Sequence, residues 1–410
     1  MKVLICSQFF DPEPVPKGLA FARAIAAQGH DVEVLTGFPN YPGGRIYDGF
    51  RLRAYDASRT EDGIRVHRCW LYPSHDRSAV RRMANYGSFA MSATVLGALK
   101  LRRPDVIFAY HPPLTISIPA LILSRRTGAR LVYEIQDMWP DTLKATGMLD
   151  REAWLAFIDR WCRFVYRRAD AIVVISEGFR RMLLERGVPA SKVEVIYNWC
   201  EEGRIKREAR DPALARELGL DPDAFTVLFA GTMGMAQGLD RVLDAAAISL
   251  GARSTAQYVF VGGGVESARL RAQAEARGLD NVVFVPRQPI ENMGRILALA
   301  DALLVHLRDD PLFAVTIPSK TQAYLHAGTP VLMAMRGDAA NLIETAEAGL
   351  VVPPDAPDQL ADAVATLAAT NPERLAAMGQ AGRAFYDREL SMRVGVQKYC
   401  DLFRRLVTPS

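Results

Sequence analysis

The chain alternates short apolar, β-branched runs with helical stretches, and it does so in two successive series. In the first, KVLICSQFF (2–10), DVEVLTG (31–37), PDVIFAY (104–110), RLVYEI (130–135), DAIVVIS (170–176) and KVEVIYN (192–198) read as strands. Strands that are apolar along their whole length are covered on both faces, as in a parallel sheet with helices on each side. LAFARAIAAQG (19–29) reads as a connecting helix stopped by Gly29. The pattern restarts at FTVLFAG (225–231) and runs through QYVFVGGG (257–264), NVVFVP (281–286), ADALLVHL (300–307), TPVLMAM (329–335) and GLVVP (349–353). Between the series, 201–224 is polar and holds two Asp-Pro steps, which suits an inter-domain connection. At 410 residues the chain is too long for one ordinary core. The expected fold class is α/β, with doubly wound parallel-sheet domains at 1–200 and 225–390. An amphipathic basic helix at 391–410 is placed to return to the first domain. Open parallel sheets bind ligands beyond the carboxyl ends of their strands, so a shared ligand would lie in a cleft between the domains.

Charge divides unevenly. Residues 1–200 carry 28 Lys and Arg against 20 Asp and Glu, whereas 201–410 carry 22 against 26. The first half is therefore the one suited to an anionic surface or acceptor. Its arginines are scattered and no nucleic-acid-binding motif is present, so nucleic acid is not an expected partner. The chain opens MKVLIC and runs straight into a strand pattern, and its five cysteines show neither metal-type spacing nor an even count. Both features predict a reduced, cytoplasmic setting and buried thiols. No run reaches the length of a membrane span. YGSFAMSATVLGAL (86–99) is flanked by Arg77, Arg81 and Arg82 and by Lys100, Arg102 and Arg103. It reads either as a helix lying on an anionic bilayer, at the inner face of the cytoplasmic membrane, or as a core helix with solvated ends. VIFAYHPPLTISIPALIL (106–123) reads as a strand, a loop and a buried helix.

Three strand-end turns of the second series suit phosphate. In FAGTMGMAQGLDRVLDAA (229–246), Gly231, Thr232, Met233 and Gly234 lie between a strand and a helix. VFVGGGVESARL (259–270) repeats the theme with Gly262, Gly263 and Gly264. In TIPSKTQAY (316–324), Ser319 and Gln322 have the spacing of a capping box after Pro318. Lys320 then falls in the first helical turn, where the macrodipole disfavours a cation unless an anion shares the place. In the first series, Lys17 and Gly18 open a helix, and His111, Glu134 and Asp137 stand at strand ends, with carboxylates suited to sugar hydroxyls. No serine triad and no clustered metal-ligand set is visible.

Jointly, GHDVEVLTGFPNYPGG, YEIQDMWPDTL, VISEGFRRML, VIYNW, FAGTMGMAQGLDRVLDAA, DDPLFAVTIPSKTQAYLHAGTPVL and EAGLVVPPDAPDQLADAV resemble the retaining family 4 glycosyltransferases of the GT-B fold, over nearly the whole chain. The branch it most resembles contains bacterial O-antigen, capsule and exopolysaccharide enzymes, N-acetyl-L-fucosamine transferases among them. The resemblance implies a GT-B fold: two Rossmann-like domains facing across a cleft. It implies that the C-terminal domain binds a nucleotide-sugar, most often a UDP-sugar. The diphosphate would lie on Gly231–Gly234 and the Pro318–Ser319–Lys320 helix start, and the base near Arg287. It implies acceptor binding by the N-terminal domain, with His111, Asp137 and the Lys17–Gly18 loop near the reacting carbon. The basic first half and the basic-flanked 86–99 segment suggest that this acceptor is a glycan or a polyprenyl-diphosphate-linked glycan. The resemblance further implies retention of anomeric configuration with no cofactor and no obligatory metal. Two positions depart from the family pattern: Thr232 and Met235 stand where many relatives place a basic residue, and Gln322 and Ala323 where many carry a ribose-binding glutamate. Lys320 is then expected to carry most of the diphosphate charge, helped by Arg308 or Arg241. A non-hydrolysing UDP-sugar epimerase and a non-catalytic nucleotide-sugar binder are the alternative readings. A nicotinamide dehydrogenase lacks its fingerprint.

Overall fold

A computed structural model describes residues 1–74, 78–145, 149 and 151–408. Arg77, one of the basic flanks of the 86–99 segment, lies outside the described residues. The chain divides into two compact units: unit 1 comprises Met1–Tyr197 and Gly395–Ser410, and unit 2 comprises Asn198–Val394.

In unit 1 the strands are β1 (Lys2–Cys6), β2 (Asp31–Gly37), β3 (Tyr55–Arg59), β4 (Arg65–Cys69), β5 (Val106–His111), β6 (Arg130–Ile135), β7 (Ala171–Val174) and β8 (Val193–Val195). Their order in the sheet is β3-β4-β2-β1-β5-β6-β7-β8. All pairings are parallel except β3 with β4. The chain winds outward from β1 in one direction and from β5 in the other. The switch point is therefore where Cys6 and His111 end neighbouring strands, the place where ligands bind in open sheets of this kind. The β3–β4 hairpin escapes the sequence pattern because YDASR and RVHRC are polar and charged. β3 is the exposed edge, whereas β4 lies inside it and is buried, with His67 hydrogen-bonded to the Tyr55 hydroxyl and Arg68 donating to the Gly37 and Asp11 carbonyls.

In unit 2 the strands are β9 (Thr226–Thr232), β10 (Gln257–Gly263), β11 (Val282–Val285), β12 (Ala302–His306), β13 (Val331–Ala334) and β14 (Gly349–Val352). Their order is β11-β10-β9-β12-β13-β14, all parallel. The switch point lies between β9 and β12, which puts Gly231 and Thr232 beside His306. One face of the sheet packs Val227, Phe229, Tyr258, Phe260 and Leu304 on the helices Leu239–Gly251 and Pro357–Ala368, through Val242, Leu243, Leu360 and Val364. The polar stretch 201–224 belongs to unit 2 rather than standing apart. It carries the helix Pro212–Glu217 capped by Asp211, and Arg210 pairs with Asp301 at 2.6 Å.

The last helix, Met392–Val407, packs on unit 1 from Gly395 onward. Tyr399 lies edge-on to Phe21 and Phe108, and its hydroxyl donates to the Glu134 carboxylate at 2.7 Å. The helix Ala79–Lys100 is apolar on two sides. Phe89, Ala90 and Ala93 are buried, whereas Met83, Met91, Val95 and Leu99 are 54–69% exposed. Among the described residues no helix is long and apolar enough to cross a membrane. Tyr399→Phe strands part of a fully buried carboxylate, which costs about 1.5–3 kcal/mol. The expected outcome is a lower midpoint of thermal unfolding, and an unchanged midpoint contradicts the anchoring of the last helix through Glu134.

Candidate functional site

The helix Ser319–Ala327 starts after Pro318, whose extended backbone (φ −59°, ψ 135°) turns the chain into it, and no side chain caps it. The capping-box expectation therefore fails. Gln322 is buried, and its amide nitrogen, in the orientation that satisfies it, donates to the carbonyls of Pro318 (2.9 Å) and Ser319 (3.0 Å). It faces its own first turn and does not reach outward as a ligand-binding group. The Thr321 amide is already taken by the Pro318 carbonyl at 2.8 Å, so the uncapped amides ahead of it are those of Ser319 and Lys320.

The Lys320 side chain folds back beneath the strand ends. Its Nζ lies 3.4 Å from the centroid of the Phe229 ring, is buried, and has no hydrogen-bond partner among the described residues. The residue as a whole is only partly buried; the ammonium is the sealed part. Phe229 sits on β9 two residues before Gly231, and Gly231 adopts φ +142°. A Cβ there would stand 3.2 Å from Lys320 Nζ, so glycine makes room for the ammonium. Tyr324, one turn along the helix, fixes the strand: the Ala230 N–H donates to its hydroxyl at 2.8 Å, and the hydroxyl donates to the Ala230 carbonyl at 3.2 Å. The ring's quadrupole attracts the cation, but desolvation dominates and pushes the Lys320 pKa down to about 7.

Gly231, Thr232, Gly262, Arg287, Lys320 and Ala323 line one cavity of about 280 Å³, floored by Tyr324 and Leu297. Two cations and no carboxylate face it. Gly262 is forced by the sheet register opposite Gly231, since a Cβ would lie 2.1 Å from the Gly231 carbonyl oxygen. The neighbouring turn departs from expectation. Met233 is a core residue; its N–H donates to the Gly263 carbonyl, and its own carbonyl accepts from Glu266. The Gly234 amide is already held by the Gln237 side chain at 2.9 Å, so it is not a free phosphate donor. His306, which the sequence reading did not single out, holds this turn through a 2.7 Å hydrogen bond to the Gln237 carbonyl. Arg308 pairs with Asp240 at 3.6 Å, and Arg241 with Asp244 and Asp355 at 3.3 and 3.5 Å. Neither arginine lines the cavity.

In unit 1 the expected acceptor residues surround the switch point but differ in access. Lys17 and Glu134 are fully buried and face each other at 3.9 Å. Glu134 also accepts from Tyr399 and Gln136. Burial outweighs their attraction, pushing Lys17 down to about 8 and Glu134 upward. They brace the core and offer no surface to a ligand. The Gly18 helix start is likewise occupied, because the Asp11 carboxylate accepts from the Leu19 N–H. His111 is buried against the edge of Trp139, and burial holds its pKa down to about 3, so it is neutral. Asp137 is partly exposed, with its carboxyl pushed up by burial. A polar network not anticipated from sequence shapes the adjoining loops. Glu13 accepts from the amides of Phe10, Asn40 and Tyr41, and Gln8, Asn85 and Asn40 are hydrogen-bonded in series. Among the described residues no three His, Cys, Asp or Glu side chains are placed to hold a metal ion.

Residues 19–199 match the family model described as a glycosyl transferase 4-like domain, and residues 211–385 match that of glycosyl transferases group 1. An Escherichia coli (strain K12) protein named as the colanic acid biosynthesis glycosyl transferase WcaI is 31% identical over 339 residues, covering 80% of this chain and 82% of that protein. Sucrose-phosphate synthase from Thermosynechococcus elongatus superimposes with a TM-score of 0.72 at 18% identity, covering 99% of this chain and 98% of its own. Anabaena HepE (Alr3699), solved in complex with UDP, superimposes with a TM-score of 0.70 at 17% identity, covering 99% and 100%.

With a pKa near 7, Lys320 is largely uncharged above that pH, and an anion binding against it restores the proton. Affinity for inorganic pyrophosphate is therefore expected to fall as pH rises above 7, by up to about tenfold per pH unit for one linked proton. Titration calorimetry of wild type against Lys320→Met cancels the titration of pyrophosphate itself. Parallel pH profiles for the two proteins contradict the assignment.

Proposed function

The chain belongs to the glycosyltransferases of the GT-B fold, with a 4-like first part and a group 1 second part, and on that premise we propose that it moves a sugar from a UDP-sugar to a glycan carried on a polyprenyl diphosphate, with retention of anomeric configuration. The single observation that carries the donor side is the unpaired ammonium of Lys320 beside the open start of its helix. Cleavage of the bond between the sugar's anomeric carbon and the diphosphate places negative charge on the leaving phosphate oxygen. A preorganised ammonium and backbone amides stabilise that charge as it develops. Pro318 and Ser319 set the helix start, Gly231 and Thr232 the facing strand end, and Arg287 the far wall where the base lies. The backbone of Gly263 supports this edge by accepting from Met233. The UDP complex of HepE supports uridine as the nucleoside, and the name of WcaI supports a place in surface polysaccharide synthesis.

On the acceptor side, Asp137 and the neutral His111 are the groups we assign to positioning the incoming hydroxyl. Lys17, Gly18 and Glu134 act as the scaffold beneath them. The exposed apolar residues of Ala79–Lys100, followed by Lys100, Arg102 and Arg103, support residence at an anionic membrane surface, where a lipid-linked acceptor would be met.

Assayed with UDP-, GDP- and dTDP-sugars and a lipid-linked acceptor, the wild type is expected to turn over a UDP-sugar only when acceptor is present. Lys320→Ala is expected to lower transfer at least about a hundredfold while remaining folded. Near-normal turnover by that variant contradicts the assignment. In flotation at low salt, the chain is expected to rise with vesicles containing anionic lipid, and Met91→Asp/Val95→Asp to stay behind. Wild type that fails to float removes the membrane reading.

A further inference from the structure

Unit 1 has a second concavity at the opposite end of its sheet. A cavity of about 130 Å³ opens where Leu4 lies early in β1 and Pro104 precedes β5. β5 runs from this end to His111, so at about 3.3 Å per residue the cavity is roughly 20 Å from the strand ends described above. Leu4 and Leu123 give it an apolar floor, the last turns of Ala79–Lys100 and Ser117–Thr127 form its sides, and Arg103 and Arg126 complete its wall.

The charges here lack internal partners. Among the described residues, the side chains of Arg103 and Arg126 make no ion pair and no hydrogen bond, nor do those of the adjoining Arg102 and Arg125. Asp105, next to Pro104, accepts from the Lys2 backbone amide, and Glu33, opposite Leu4 in the sheet, is held by the Lys2 and Arg65 side chains. Two helix carboxyl ends meet here with about half a negative charge each, fewer than the cations around them. Guanidinium forks suit phosphate oxygens, and the apolar floor suits hydrocarbon. Leu99, at the end of the exposed apolar stripe, adjoins this corner.

We propose that this cavity binds the phosphate of an anionic phospholipid, with Arg103 and Arg126 as its ligands and the lipid's chains directed toward the stripe that ends at Leu99. The site goes beyond the transfer reading and does not depend on it, because its ligand is neither donor nor acceptor.

The test is calorimetric titration of the full chain with three probes: dihexanoyl phosphatidic acid below its micelle concentration, dihexanoyl phosphatidylcholine, and inorganic phosphate. The phosphatidic acid is expected to bind at least about tenfold more tightly than either of the others, and Arg103→Gln/Arg126→Gln to weaken it at least about tenfold. Ala98→Leu, which fills the cavity and keeps both charges, is expected to weaken it as well. Equal binding of phosphatidic acid and inorganic phosphate overturns the lipid as ligand. Undiminished binding by the double variant overturns the arginines, and undiminished binding by Ala98→Leu overturns the cavity. The midpoint of thermal unfolding, measured on the same samples, reports that each variant is folded. Loss of transfer or of flotation leaves these titrations unchanged, so the readings fail separately.

Discussion

A lysine ammonium buried against an aromatic face, with no carboxylate to meet it, is the constraint on which unit 2 depends. Phe229 offsets part of the cost of burying Lys320, by about 2 kcal/mol for a desolvated cation over a ring. Burying an unpaired charge costs more than that, and the remainder appears as the pKa lowered to about 7. The surrounding geometry follows from this one placement. Gly231 is glycine because the ammonium lies where a side chain would begin, and Gly262 is glycine because its strand closes on the Gly231 backbone. Tyr324 ties the lysine's helix to the strand that carries the ring. A charge held at such cost is a preformed half of an interaction.

Unit 1 treats buried charge in the opposite way. Lys17 meets Glu134, Asp11 closes the helix start at Gly18, and Glu13 takes up three backbone amides. These groups answer one another, so they specify loop conformation instead of waiting for a ligand. Breaking such a buried set by removing one member is costly, which makes it a rigid support for the loops at β1 and β5. The groups left with open faces there are few, and Asp137 is the clearest. The last helix joins this set through Tyr399, so the chain's end is part of the support beneath the first unit's crevice.

Much of the fold was legible because a parallel sheet covered on both faces demands uninterrupted apolar strands. DVEVLTG and RLVYEI matched β2 and β6 residue for residue. The hairpin β3–β4 was not legible, because the edge strand β3 needs no such run and the buried strand β4 carries His67 and Arg68, whose polar atoms are met by hydrogen bonds that sequence does not show. The candidate anion site at this helix start was legible in Lys320 alone, a cation where local electrostatics argue against one, and conflicts between local rule and placement concentrate at functional sites. Which neighbours face the ligand was not legible. Gln322 and Met233 carry the right spacing, but spacing does not say that one amide turns onto its own helix or that one thioether packs into the core. Lys17 and Glu134 stand at strand and helix ends, as ligand-binding residues do. Only their mutual approach, across 117 positions of sequence, reveals that they are partners.

The choice of lysine over arginine at 320 follows from the same physics. A guanidinium stays charged at any accessible pH and presents five N–H donors, which a ring face and a glycine backbone cannot satisfy. An amine has a second state. With its pKa pushed down to about 7, Lys320 is only partly protonated near neutral pH, and its neutral fraction is not opposed by the macrodipole at the helix start. On the proposed donor reading, an arriving diphosphate returns the proton, and the cation forms in a site already shaped around it. On that reading the position lightens the steady penalty of a buried unpaired charge and would still present that charge during leaving-group departure. The same logic explains the absence of carboxylates from the cavity wall. An internal acidic partner would fix the proton on Lys320 permanently, and would then compete with the very anion that the ammonium is placed to meet.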